Sequence, residues 1–198
     1  MVLKTRDRLI EVARQLFARK GVENTTMNDI ASASHKGRRT IYTYFKNKRD
    51  IFNAVIEQET AKLLIELEQI ARQHNPPAEK IETFIRVRFE TMREIVSRNG
   101  SLRAGFFRDV RKVDRARKLI NRREMEILSE ILREGVDQGA FSIDNVPQTA
   151  SVIIHAIHGL DVPYIRDNLL DQGLDKDMVI KRMTALLLDG LRVRQFTH

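Results

Sequence analysis

The sequence predicts an all-α chain of about nine helices, with a three-helix head followed by a larger helical body. Three observations carry this reading. Apolar residues recur three and four positions apart along most of the 198 residues, the spacing of one-sided helices. Helix breakers are sparse, four prolines and nine glycines, and most stand where an apolar stripe ends. Charge is divided unevenly: residues 1–50 carry 12 Lys and Arg against 5 Asp and Glu, a net of +7, whereas residues 51–198 carry 23 against 22. The expected domains are therefore residues 1–50 and residues 51–198.

In the head, residues 6–20 place Leu9, Ile10, Val12, Ala13, Leu16 and Phe17 on one helical face, and Gly21 is the stop. Thr26 and Asp29 have the spacing of a capping box and open a short second helix containing Ile30 and Ala31. The polar run Ser34-His35-Lys36-Gly37 separates it from a third helix over residues 38–45. Asn47 can cap a long fourth helix that Pro76 and Pro77 bring to an end.

The body continues with helices expected over 78–98, 102–110, 114–138, from Pro147 toward Asn168, and 175–195. Gly139 is a natural stop and Pro163 an interruption. The last two long helices are apolar on more than one face, which requires burial on more than one side. One face can meet the core and the other a second copy of the chain, with Ile153, Ile157, Leu160, Met183, Leu187 and Leu191 as candidate interface residues. A deeply buried hairpin within one subunit is the alternative.

Composition narrows the function classes. The content of 42% hydrophobic and 31% charged residues is that of an ordinary globular chain. No apolar run approaches the ~18 residues of a membrane helix, so no membrane partner is expected. The charged start leads into no signal core, and there is no cysteine for a disulfide or a thiolate metal site. The expected location is cytoplasmic. No phosphate-cradling glycine loop, His-Glu-x-x-His or Ser-His-Asp pattern occurs, so no catalytic residue, no cofactor and no enzyme activity is expected.

A compact basic head on a near-neutral body is the footprint of a polyanion binder, although composition alone equally allows a solvated basic face. The motif in the head separates the two. Two short helices joined by a tight turn behind a longer helix form a helix-turn-helix. Ile41 and Phe45, four apart, can pin the third helix to the core, leaving Arg38, Arg39, Thr40, Thr43 and Tyr44 outward. Arginine forks suit guanine edges, and hydroxyls suit phosphates. Tyr42, Lys46, Lys48 and the helix-opening Thr26 complete the candidate set for double-stranded DNA, with Lys4 and Arg6 as a short flanking arm.

Leu16-Phe17, Gly21, Thr25-Thr26, Asp29-Ile30-Ala31 and Thr40-Ile41-Tyr42-Thr43-Tyr44-Phe45-Lys46-Asn47-Lys48 together resemble the DNA-binding domain of the TetR/AcrR family of bacterial repressors. The turn departs from that pattern: His35 stands where the turn glycine is usual, and Gly37 where a capping serine is usual. The resemblance implies a helix-turn-helix DNA-binding domain and a helical domain that binds an effector and dimerises. It further implies a homodimer on an operator and release by a small molecule. Phe84, Arg88, Phe89, Met92, Phe107, Met125, Leu128, His155 and Tyr164 are the candidate lining for that ligand, with Phe106 beside them, and core packing is the alternative for these apolar positions.

Two further constellations remain. His155, His158 and Asp161 have spacing that a metal could use, but with no other His or Cys cluster in the sequence helix-face histidines are the favoured account and no metal is expected. Residues 98–123 hold ten Lys and Arg against two acids, either a solvated or internally paired face or an anion site.

Overall fold

The computed structural model describes residues 2–98 and 114–192. Among these there are eight α-helices and no strand: α1 Val2–Lys20, α2 Met27–Ala33, α3 Arg38–Tyr44, α4 Lys48–Ala71, α5 Pro77–Arg98, α6 Asp114–Asp137, α7 Val146–Ile165 and α8 Lys176–Leu191. A 3-10 turn, Leu170–Gln172, precedes α8. The helix expected over 102–110 lies outside the described residues, as do Phe106 and Phe107. Helix α1 starts at Val2, so Lys4 and Arg6 are helical residues and form no extended arm. No helix among the described residues is long and apolar enough to cross a membrane.

The chain divides into two compact units, Met1–Ala61 with Glu94–Leu119, and Lys62–Arg93 with Ile120–His198. The division falls inside helices α4, α5 and α6.

In the first unit, the predicted stripe of α1 is the core: Leu9, Ile10, Ala13, Leu16 and Phe17 are buried. Ile30 and Ala31 of α2, Ile41 of α3, Phe45, and Ile51, Phe52, Val55 and Ile56 of α4 are buried in the same unit. Phe17 meets Phe52 edge to face at 5.9 Å, the arrangement that ring quadrupoles favour. Arg14 binds Glu11 at 2.6 Å and reaches Glu59 of α4 at 3.7 Å.

The second unit buries Ile81, Phe84, Ile85, Phe89 and Met92 of α5 with Ile127, Leu128, Ile131 and Leu132 of α6. Helix α7 adds Ile153, Ile154, Ile157 and Tyr164, and α8 adds Val179, Ile180 and Met183. Asn145 and Asp175 cap α7 and α8 through bonds from Gln148 N and Met178 N. Just past the end of α6, Gly139 takes a left-handed φ of 71°. Four residues earlier a Cβ on Gly135 would lie 2.0 Å from the ring of the buried Phe141, so only glycine allows that ring to close over the helix.

Candidate nucleic-acid interface

Helix α2 is opened by a complete capping box. Asp29 N donates to the Thr26 hydroxyl at 3.1 Å, and Thr26 N donates to the Asp29 carboxylate at 2.8 Å. The bond from the Thr26 amide holds the Asp29 carboxyl below its ordinary range. The helix closes in a Schellman turn: Lys36 N bonds Ala31 O and His35 N bonds Ser32 O, both at 3.0 Å. The left-handed residue of that turn is His35, at φ 54°, the position where a glycine is usual. Gly37, in contrast, is extended at φ −67° and caps α3 without a side-chain bond. The chain thus has a β-carbon where glycine is preferred and none where a serine would fit.

Helix α3 is amphipathic in the expected sense. Ile41 and, just past its end, Phe45 are buried, while Arg38, Arg39, Tyr42 and Thr43 are exposed and Thr40 and Tyr44 half-buried. Arg38 lies over the Tyr42 ring at 5.8 Å, a cation–π contact that gives the guanidinium a preferred position on the open face. Thr43 bonds back to Arg39 O at 3.1 Å. The first turn of α3 carries two arginines and no acid. Cations at a helix N-terminus oppose its dipole, so this pair works against the helix and is suited to an anion outside it.

The flanking candidates differ from one another. Lys46 and Thr26 are exposed. Arg6 lies over the Phe45 ring at 5.6 Å, which places it against the back of the head. Lys48 is half-buried and its ammonium bonds Val22 O at 2.6 Å and Glu23 O at 3.1 Å. Lys36 is exposed in the turn beside α3.

In the second unit, six of the candidate lining residues are buried: Phe84, Arg88, Phe89, Met92, Leu128 and Tyr164. Phe89 and Tyr164 stack at 4.7 Å. Arg88, 2% exposed, donates from Nε to Glu124 at 3.0 Å and from Nη2 to Asp161 at 2.9 Å. His158 Nε2 lies 2.7 Å from the other Glu124 oxygen. Burial opposes the charge on Arg88, but Glu124 and Asp161 more than offset it and its pKa rises. Burial likewise opposes the charge on Glu124, yet Arg88 and the bond to His158 leave its pKa below the ordinary value. Glu124 was not singled out from sequence, although an acid standing in the buried stripe of Ile120, Ile127 and Leu128 was its signal.

The other body candidates fall elsewhere. Met125 is half-buried on an open groove of about 500 Å³ with Glu126, Ser129 and Pro147. His155 is exposed with its Nδ1 2.7 Å from Ser151 O, outside the buried set, and Phe107 lies outside the described residues. His158 and Asp161 are engaged by Glu124 and Arg88, and no group of three His, Cys, Asp or Glu side chains among the described residues is placed to hold a metal. Ile153, Ile157, Met183 and Leu191 are buried within the chain itself, and Leu160 and Leu187 are half-buried. The apolar positions that α7 and α8 leave open include Val152, 70% exposed, and Leu186, 76% exposed, with the exposed Ala156, Ala185 and Met178.

Two short helices joined by a tight turn behind a longer packing helix, the second with its arginines outward, define a helix-turn-helix DNA-binding protein. Comparison with known proteins makes the class narrower. Residues 9–55 match the family model for bacterial regulatory proteins of the tetR family. Over 189 residues the chain is 28% identical to the "Probable acrEF/envCD operon repressor" of Escherichia coli, covering 95% of this chain and 72% of that protein. A solved TetR/AcrR-family transcriptional regulator from Thermobifida fusca matches with a TM-score of 0.64 and 27% identity over 95% of this chain and 98% of that one. FadR of Thermus thermophilus, a TetR-family repressor solved in complex with lauroyl-CoA, shares the fold with a TM-score of 0.72 at 21% identity, covering 98% of each chain. The head of the chain, residues 9–55, is thus similar to the DNA-binding domain of tetR-family regulators, and the chain as a whole is similar to TetR/AcrR-family transcriptional regulators.

Proposed function

We propose that the chain is a homodimeric, cytoplasmic repressor that sets α3 in the major groove of a pseudo-palindromic operator and leaves it when a small molecule binds the body. The observation that carries this is the division of α3, with Ile41 and Phe45 buried at its back while Arg38 and Arg39 are open at its front. Arg38, Arg39, Thr40, Tyr42, Thr43 and Tyr44 are the base and phosphate contacts, with Lys46 and Thr26 on the flanking backbone.

Selection of duplexes from a random pool, followed by anisotropy titration, tests the reading. The expected result is one enriched pseudo-palindrome with half-sites about 34–36 Å apart. Arg39→Ala then weakens binding by about 1–3 kcal/mol with the helical signal unchanged. A pool with no enriched sequence would sink the proposal.

The second copy docks on Val152, Ala156, Ala185 and Leu186, among the small and apolar positions that α7 and α8 leave open. The effector binds among Phe84, Phe89, Met92, Leu128 and Tyr164, and the buried Arg88 cluster is its polar end. The Thermus FadR, a protein of the same fold solved in complex with lauroyl-CoA, supports a small-molecule ligand without naming this one. Release follows from population shift: the ligand favours one arrangement of the two heads and the operator the other.

A further inference from the structure

Lys48, the first residue of α4, turns its side chain back to the loop between α1 and α2. Its ammonium donates to Val22 O at 2.6 Å and to Glu23 O at 3.1 Å. Within the loop, Asn24 Nδ2 donates to Lys20 O at 3.0 Å. Thr25 Oγ1 donates to Gly21 O at 2.7 Å, and Thr25 N approaches Val22 O at 3.4 Å. Directly after it come Thr26 and the capping box that starts α2. The carbonyls beyond the end of a helix lack intrahelical partners, and a cation is the favoured group to satisfy them. Bonds from an ammonium to such carbonyls are charge-assisted and stronger than neutral ones. Two of the three ammonium donors are committed here, and a swing toward a phosphate would break both.

We propose that Lys48 is a positioning residue for DNA recognition, a clasp that fixes the loop before α2 against the first turn of α4, and that its ammonium makes no contact with the DNA backbone. The proposal rests on the DNA-binding reading but is separable from it. A lysine bound to phosphate contributes to the salt dependence of binding, about 0.9 per phosphate neutralised, whereas a clasp contributes nothing to it.

The test is Lys48→Met, which keeps the aliphatic stem and removes the donors. On the selected operator, binding is expected to weaken about tenfold at every salt concentration, so that log K against log salt keeps its slope. In the free protein, exchange of the Asp29 amide, which the capping box protects, is expected to accelerate about tenfold. Lys48→Arg, with its charge and several donors, restores both. If Lys48→Met does not fold, Lys48→Gln, a shorter neutral donor, is read in the same two ways. A slope shallower by about 0.9 would overturn the proposal, and so would unchanged affinity with unchanged exchange. Wild-type protein without sequence preference for DNA would defeat the DNA-binding reading, while the exchange measurement would still judge the clasp.

Discussion

At the scale of single residues, two positions set chemistry against stability. His35 holds the left-handed place of the Schellman turn. A β-carbon there costs about 1–2 kcal/mol relative to glycine, so His35→Gly is expected to raise stability in urea by about 1 kcal/mol; a lower midpoint would mean that the histidine makes a compensating contact. Arg88 is the opposite case. Removing it as Arg88→Met leaves Glu124 and Asp161 buried without their cation, and a loss of about 3–5 kcal/mol is expected from the urea midpoint. The same cluster fixes the sign of a pH effect. Glu124 binds its proton more weakly in the folded chain than in the unfolded one. Its contribution is therefore complete above the ordinary glutamate pKa of ~4.3 and is lost as pH falls through the lower folded-state value. Urea midpoints of wild type should drop more between pH 6 and pH 3 than those of Glu124→Gln, and parallel curves would refute the assignment.

At the scale of elements, α3 is a helix built against its own dipole. Arg38→Glu replaces a cation in the first turn with an acid, and is expected to stabilise the protein by about 0.3–1 kcal/mol while abolishing DNA binding. Thermal melts and anisotropy on the same sample check both halves. The end of α6 shows the reverse demand, where shape and not charge decides. Gly135→Ala would drive a methyl into the Phe141 ring, and a destabilisation of about 1–3 kcal/mol is expected, because the ring has to leave its buried site. An unchanged melting temperature would show that the ring moves aside without cost. Most of the helices were legible in the sequence because each is amphipathic and bounded by a cap, a glycine or a proline. Their ends were less so: α1 begins at Val2, and α8 ends at Leu191 among the described residues, where periodicity alone ran on to residue 195.

At the scale of the whole molecule, the net of +7 in residues 1–50 ties function to ionic strength. Operator affinity should fall linearly in log salt, with a slope that counts the phosphates neutralised. Leu186→Arg, on the open face of α8, is expected to leave the fold intact and shift sedimentation to the monomer. A dimer that survived both Leu186→Arg and Val152→Glu would place the interface elsewhere. The apolar pattern of α7 and α8 leads one to expect burial on two sides. Of the six candidate interface residues, Ile153, Ile157, Met183 and Leu191 are buried within the chain and Leu160 and Leu187 half-buried, since on a helix apolar nearly all round hydrophobicity does not distinguish one face from the other.

The sequence by itself determined the helical class, the basic head, the capping box of α2 and the outward arginines of α3. All of these follow from residues within about two helical turns of one another. Only the tertiary structure decided that Lys48 reaches the carbonyls of Val22 and Glu23, and that Arg88 meets Glu124 and Asp161. The physical reason is range. Spacing along a chain dictates which side chains share a face, but which faces meet depends on packing that joins residues tens of positions apart, and the partner of a buried charge is settled only there.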